Sequence, residues 1–529
     1  FFRSEDGGQT WDWVSEVLSS GARMNIAVTP ADPNVVYVIK TGTYAFSGLY
    51  RSTDAGLTFT EMSTEPNIMG WAADGTSDGG QAWYDLCMEA DHNDPMTIYV
   101  GGIRVKRSVD GGATWEDIQP NYVHVDQHEM VISHHNQDLY LCNDGGLYHY
   151  ADNTNWVDIS KGIVTGQIYQ LGQSPHNPNH TLTGYQDNGT MEFDGVYWRR
   201  RGGGDGFECA YDHTTPHWRY GSIYYGDVYR TTPEVVNEKF AGMDVLDIDE
   251  EGAWNTPYLI SRADTTANTM FIGLKNVWRS TNIKTANKDD IIWNRISNNL
   301  SSNTTNLAEL EQCISNPNIL YASKDNRKLF RTNNALADSV VWTNLSLSLP
   351  VAQVTVNAIE TSPLDSNLVW IGFNKNVYRS SNQGANWTNI TLNFPDLVIN
   401  SIVLDTTHAG LEALYIGTDM GVYYKDTTLT NFIPFHEGFP TNARVTELEI
   451  YYGQSISEHR IKASTYGRGL WESDLYSAIT QNFPPVAAIT LTDGGNETYG
   501  SFAVDVIFYK SLNEVEMVGF NSLTEDVVV

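Results

Sequence analysis

The sequence predicts an all-β chain of repeated four-stranded units arranged as propeller blades. Three observations carry that prediction: an internal repeat, four short apolar runs in each unit, and the near absence of helical periodicity. The repeat aligns without gaps. Arg3-Ser4-Glu5-Asp6-Gly7-Gly8-Gln9-Thr10-Trp11 aligns with 51–59 and 107–115 in the same pattern, and Arg379-Ser380-Ser381-Asn382-Gln383-Gly384-Ala385-Asn386-Trp387 follows with Asn for Asp. Weaker copies start at Arg279-Ser280-Thr281-Asn282 and Arg331-Thr332-Asn333-Asn334 and reach Trp293 and Trp342 after insertions.

In the pattern S-x-D-x-G-x-T-W, the carboxyls of Asp6, Asp54 and Asp110 and the carboxamide of Asn382 are placed to accept backbone N–H groups a few residues on, closing a turn in which Gly supplies positive φ. The aromatic then opens the next strand with a large apolar anchor. This is the Asp box, or BNR repeat, and it is read as a hairpin staple rather than a ligand contact. In chain order a half unit comes first. The first full unit runs Met24-Asn25-Ile26-Ala27-Val28, the turn Pro30-Ala31-Asp32-Pro33-Asn34, Val35-Val36-Tyr37-Val38-Ile39, and Gly48-Leu49-Tyr50-Arg51 into the next box. Further units begin near 82, 127, 167, 206, 257, 306, 355, 399 and 444, giving about ten full blades. The last has apolar runs over 445–451, 459–466 and 469–475 but no following box, so its outer strand must come from elsewhere. Residues 11–16 are one source, closing a single large ring; the competing arrangement is two smaller rings that include blades upstream of this sequence. The expected domains are the propeller over 1–480, a linker over 481–485 (Gln481-Asn482-Phe483-Pro484-Pro485), and the start of an Ig-like β-sandwich over 486–529, where apolar and polar residues alternate.

Composition bounds the partners. With 32 Lys+Arg against 64 Asp+Glu the formal charge is 32 − 64 = −32 and the pI is near 4.6. Such an excess repels phosphate backbones and anionic headgroups, so no nucleic-acid partner is expected. No run of about 18 apolar residues occurs, so no membrane insertion is expected. Acidic residues occur in nearly every unit, in turn-like stretches such as Lys288-Asp289-Asp290, and the charge is expected to spread over the solvent face. The chain opens inside a box and closes inside an apolar run, which reads as a piece of a longer protein. Cys87, Cys142, Cys209 and Cys313 sit in apolar runs without CxxC or Cys/His spacing and are expected to be buried free thiols.

Four strings carry candidate chemistry: His124-Val125-Asp126-Gln127-His128, Asn143-Asp144-Gly145-Gly146, Gly184-Tyr185-Gln186-Asp187-Asn188-Gly189 and Gly203-Gly204-Asp205-Gly206. On a strand, His124, Asp126 and His128 share one face, as candidate metal ligands or an acid/base set, against the plainer reading of a polar channel network. Asp85, Asp126, Asp144, Asp187 and Asp205 recur near strand starts or turns of successive blades and are candidates for one rim, with Gln186 and Asn188 as ligand contacts. Asp85, Asp126 and Asp205 are the catalytic carboxyls on a hydrolase reading, since glycoside hydrolysis takes two carboxyls about 5–10 Å apart. No cofactor is expected, although acidic loops leave calcium open without EF-hand spacing. Among 15 Trp, 29 Tyr and 18 Phe, the pairs Trp83-Tyr84, Tyr197-Trp198 and Tyr224-Tyr225 are candidates for stacking on sugars, whereas the box tryptophans are expected between blades.

The boxes and these four strings resemble bacterial relatives of the sortilin ectodomain and of the Asp-box glycoside hydrolases that include xyloglucanases; Tyr466-Gly467-Arg468-Gly469-Leu470-Trp471 resembles the terminal blade of that family. The resemblance covers about 1–475 and implies the propeller, in a family that runs from hydrolases to receptors. The tail resembles Ig-like repeats of large secreted bacterial surface proteins, often type IX secretion substrates. That implies an extracellular or cell-surface location, further domains on the same polypeptide, and a protein or glycan ligand. The F/Y-R-I/V-P string of sialidases is absent, Arg199-Arg200-Arg201 are clustered rather than spread over blades, and the Arg-Thr-Asp-x-Gly-Gly string usual in xyloglucanases is not found. The expected function is therefore a non-catalytic module for adhesion, ligand binding or extracellular assembly. The alternative is a secreted glycoside hydrolase acting on polysaccharide through rim carboxylates.

Overall fold

The computed structural model describes residues 1–476 apart from 15–17, 19–20, 153, 244, 246–247, 299, 301–304, 325–327 and 351–354. Beyond them it describes the backbone of three strands, Ala487–Leu491, Val504–Lys510 and Glu514–Val518. Among these residues the architecture is all-β, in antiparallel meanders, with two compact units dividing after Ile163. No helix among the described residues is long and apolar enough to cross a membrane.

Local chemistry sets each blade. The turn between first and second strands recurs as an Asx turn: Asn34 N–H donates to Asp32 Oδ1, Asn179 N–H to Asn177 Oδ1 and Asn367 N–H to Asp365 Oδ1, each at 2.9 Å. The box closes the turn between third and outer strands. Asp54 Oδ1 accepts the N–H groups of Leu57 and Thr58 at 3.1 and 2.8 Å, its Oδ2 accepts the Thr58 hydroxyl, and Ser52 Oγ accepts Gly56 N–H at 2.8 Å. Asp6 and Asp110 repeat this pattern, and Asn382 accepts Asn386 N–H at 2.9 Å. Two successive residues in each box are left-handed, Gly111 and Gly112 at φ 75° and 92° for example, and a Cβ on Gly112 would lie 1.9 Å from Leu49 Cδ2. Glycine there admits both the turn and the close approach of the preceding blade.

The aromatic that opens the outer strand ties consecutive blades together. Trp156, Trp293 and Trp342 donate from Nε1 to the carbonyls of Ile118, Phe240 and Ile296 at 2.8, 3.1 and 2.9 Å, each on the outer edge of the preceding blade. Trp115 and Trp387 do the same to the hydroxyls of Ser63 and Ser348. An indole buried at such a seam contributes apolar area while its one donor is satisfied.

The first unit holds the hairpin of Phe2–Arg3 with Asp12–Trp13, then three four-stranded blades over 23–63, 87–117 and 127–158. The second holds six four-stranded blades over 168–200, 209–241, 258–295, 307–344, 358–389 and 399–434, and a three-stranded one over 444–474. This last blade packs back on the first of its unit. Thr446 Oγ1 donates to Ile168 O at 2.9 Å, Leu171 N–H to Glu447 Oε2 at 2.6 Å, and Gln167 bridges Tyr466. Lys462 adds Nζ donation to Pro178 O at 2.6 Å. The second unit is thus a closed ring of seven blades, which corrects the single ten-bladed ring. Asp12–Trp13, expected as a source for the last blade's outer strand, pairs with Phe2–Arg3 instead, because the box joining them folds locally.

Two further expectations change. Cys142 is exposed, whereas Cys87, Cys209 and Cys313 are buried, and all four thiols are free. Nor is the acidic charge only on the surface. Glu208, Glu309, Glu311, Glu360, Glu447 and Glu449 lie on or beside the innermost strands of the second unit, half-buried among the blades and within electrostatic reach of one another. The polar face of an innermost strand looks into the ring, not out to bulk water. After residue 476, Ala487–Leu491, Val504–Lys510 and Glu514–Val518 form an antiparallel sheet of three. The linker 481–485 and most of the remaining tail lie outside the described residues.

Candidate functional site

In the first unit, the connection between blades 23–63 and 87–117 ends in one turn, where the N–H groups of Tyr84 and Asp85 donate to Gln81 O at 2.7 and 3.2 Å. A spacing of four in such a turn puts the side chains of Gln81 and Asp85 on one side. Gln81 Nε2 donates to Asp85 Oδ2 at 3.3 Å and to Asp126 Oδ1 at 2.5 Å, so one amide joins two carboxyls. Asp85 is 0% exposed, and its Oδ1 meets no donor. Burial, and then the Asp126 charge, push its carboxyl up to about 8. Asp144 accepts the Tyr84 hydroxyl at 3.0 Å and pairs with His128 Nε2 at 2.8 Å. That bond to Asp144 raises the His128 pKa against the cost of burial.

The fold therefore brings together Asp85, Asp126, Asp144 and His128 but corrects the shared face expected for 124–128. The strand begins at Gln127, and Asp126 is left-handed at φ 68°, so the period of two does not extend back through it. Asp126 turns to Gln81, His128 to Asp144, and His124 Nδ1 to Val125 O at 2.9 Å. His124 lies over Gly145, where a Cβ would come within 2.4 Å of its own Cβ. Among the described residues, no three His, Cys, Asp or Glu side chains are arranged as they stand to hold a metal ion.

In the second unit, Gln186, Asp187, Asn188 and Asp205 meet at one rim. Asp187, at φ 60°, donates its N–H to Asp205 Oδ1 at 2.6 Å, and Asn188 Nδ2 donates to Gln186 O at 3.2 Å. Gln186 Oε1 accepts the hydroxyls of Tyr169, at 2.9 Å, and of Tyr466. Beside them stands an aromatic platform. Trp254 stacks on Tyr224 at 5.3 Å and 16°, meets Tyr225 edge-on at 5.3 Å, and reaches Phe207 at 5.6 Å. Trp254, Tyr224 and Tyr225 remain 44%, 37% and 48% exposed. Tyr225 holds a left-handed φ of 65°, with its carbonyl fixed by Gly252 N–H at 2.8 Å. Backbone in that region costs energy for a non-glycine residue and here serves to present the ring. Gly204 touches this platform, for a Cβ there would lie 3.4 Å from Tyr224 Cε1. Of the three aromatic pairs chosen from sequence, Tyr224-Tyr225 forms the platform and Trp83 is exposed, whereas Trp198 is buried.

Gln81, Tyr169, Phe207 and Trp254 escaped sequence reasoning. An i, i+4 pair inside an irregular connection has no periodic neighbours to betray it. The single Trp254 stands in Gly252-Ala253-Trp254-Asn255, which reads as an ordinary loop.

No family model matches this chain. A xyloglucanase of Acetivibrio thermocellus is 29% identical over 188 residues, covering 32% of this chain and 20% of that protein. A Paenibacillus xyloglucanase is 28% identical over 208 residues, covering 35% of this chain and 19% of that protein. The chain thus matches about a fifth of the length of these relatives, and the resemblance to xyloglucanases read from the sequence agrees with them. Among solved structures, PorZ, a surface component of the type-IX secretion system of Porphyromonas gingivalis, aligns over 84% of this chain and 68% of its own, at 11% identity and a TM-score of 0.46. The GH74 enzyme of Niastella koreensis aligns over 85% and 74%, at 13% identity and a TM-score of 0.35.

Proposed function

We propose that this chain holds a polysaccharide at the rim of its second unit, as part of a secreted glycoside hydrolase. The observation that carries the reading is the exposed platform of Tyr224, Tyr225 and Trp254 beside the carboxyls of Asp187 and Asp205. Flat aromatic faces accept the C–H faces of a pyranose, while a few fixed polar groups read its hydroxyls. The partial likeness to xyloglucanases supports the reading. So does the net charge of −32, which disfavours an anionic polymer and leaves a neutral one unopposed. In hydrolysis one carboxyl protonates the leaving oxygen and the other acts as base or nucleophile. Asp187 and Asp205 are the pair that this rim offers, in place of Asp85 and Asp126 of the other unit. The proposal takes the protein as extracellular and 486–529 as the start of an Ig-like module.

The second reading, a non-catalytic binding module, is favoured by the hydrogen bonds that tie Gln186 to two tyrosines and Asp205 to a backbone N–H, an arrangement suited to holding. A panel of plant polysaccharides including xyloglucan separates the two. The expected result is turnover that falls about a hundredfold or more in Asp205→Asn, the size of a lost acid/base group, with binding weakened in Trp254→Ala. Binding without turnover leaves only the binding module, and neither binding nor turnover across the panel removes both readings.

A further inference from the structure

We propose that the first unit carries a divalent cation site, suited to calcium, formed by Asp85, Gln81 and Asp126. The starting point is an unmet requirement. Asp85 is wholly buried, Oδ1 has no donor, and Oδ2 receives a single contact of 3.3 Å from Gln81. Among the described residues Asp85 forms no ion pair. The guanidinium of Arg23, which comes near, is bonded to the carbonyls of Tyr84 and Leu86 at 2.5 and 3.2 Å. A buried carboxyl left this way is costly, and a second carboxyl, Asp126, converges on the same amide. The neighbouring Asp144 is answered by His128, so that pair does not relieve Asp85.

The amide between the carboxyls occupies the place of a cation. Its NH2 group offers two donors to two acceptors, yet one acceptor atom of Asp85 stays empty. A half-turn of the Gln81 amide exchanges Nε2 for Oε1 with no change of shape. With Oε1 turned inward, two carboxyls and one carboxamide form an all-oxygen set that repels itself unless a cation fills it. Hard oxygen donors select calcium or magnesium over softer metals. Of these, calcium tolerates the irregular geometry that a turn at 81–85 and a loop at 126 provide, with water completing its shell, whereas magnesium demands a near-ideal octahedron. The left-handed backbone of Asp126 is the constraint that brings the third ligand to the other two. A pattern of carboxylates and imidazoles alone misses this set because its third ligand is an amide.

The test uses the full chain, first stripped with EDTA. Calcium is expected to bind and to raise the melting temperature, as any ligand of the folded state does. Asp85→Asn should lose both effects. Gln81→Met, which keeps the volume and removes the oxygen, should also lose calcium, while Gln81→Glu should bind it about tenfold or more tightly through the added charge. Absence of calcium binding, or an unchanged calcium response in Asp85→Asn, overturns the site. A response stronger to magnesium than to calcium overturns the choice of metal. The −32 charge responds to any cation in a general way, so the difference between parent and Asp85→Asn is the decisive reading.

Discussion

Asp110 organises its turn with one carboxyl: Oδ1 accepts the N–H groups of Ala113 and Thr114 at 3.0 and 2.9 Å, and Oδ2 accepts the Thr114 hydroxyl at 2.6 Å. Burial works against the charge, but the bonds from Thr114 and Ser108 outweigh it and hold the carboxyl at about 2. Since the folded value is depressed, this contribution is present above the ordinary carboxylate range and is lost as pH falls toward 2. Asp110→Ala should cost about 2 kcal/mol, the range for hydrogen bonds to a charged group. Asp110→Asn should cost less, because Asn382 closes the corresponding turn with a neutral side chain. Denaturant midpoints of the two variants check the order, and equal losses would contradict it. These turns were legible in the sequence because every atom involved lies within five residues. Asp126 was not, because its backbone leaves the strand conformation that the spacing His124-x-Asp126-x-His128 assumes.

Among elements, the seam between the last and first blades of the second unit decides whether the ring stays shut. Lys462, with a side chain 4% exposed, donates to Pro178 O and to Thr181 Oγ1 of the first blade and pairs with Glu472 of its own at 3.6 Å. The ammonium thus serves two blades at once. Lys462→Met keeps the apolar stem but leaves Glu472 only its longer pair with Arg460 at 3.8 Å, and breaking a buried pair from one side costs up to about 3–5 kcal/mol. The expected outcome is a lower urea midpoint for the second unit, partly recovered by adding Glu472→Gln. No recovery would mean that the bonds to Pro178 and Thr181, rather than the charge, hold the seam. Four strands per blade were readable from apolar runs and turn residues. The partner of the last blade was not, for Thr446, Glu447 and Lys462 find it more than 270 residues away along the chain.

On the scale of the second unit, the half-buried glutamates make stability depend on pH. Burial, and then the neighbouring carboxyls, raise Glu208 to about 8; Glu311 and Glu449 are held up to about 7 mainly by burial, and Glu309, Glu360 and Glu447 are raised as well. Their folded pKa values stand above the unfolded value, so the folded state holds more protons. Their contribution is therefore full below the ordinary glutamate value of about 4.3 and is lost as pH rises through 7 to 8. The melting temperature should fall between pH 5 and pH 8.5, and Glu309→Gln should flatten that fall by removing one crowded charge. A melting temperature that rises over this range, with or without the substitution, would show that water and counterions already neutralise the channel.

What the sequence by itself determined is everything that short-range chemistry can write: the boxes, the turn residues, the four apolar runs of each unit and the number of blades. Those features depend on neighbours a few residues apart and survive in any arrangement of the blades. Tertiary structure alone decided that seven blades close one ring, that six glutamates face inward, and that Asp85 and Asp126, forty-one positions apart, share one amide. It also decided that Tyr224, Tyr225 and Trp254 form one platform. The physical reason is the same in each case. Period and turn chemistry say which side of a strand a residue occupies, whereas the side's surroundings, solvent, ring interior or another carboxyl, are set by contacts between blades whose register no local pattern records.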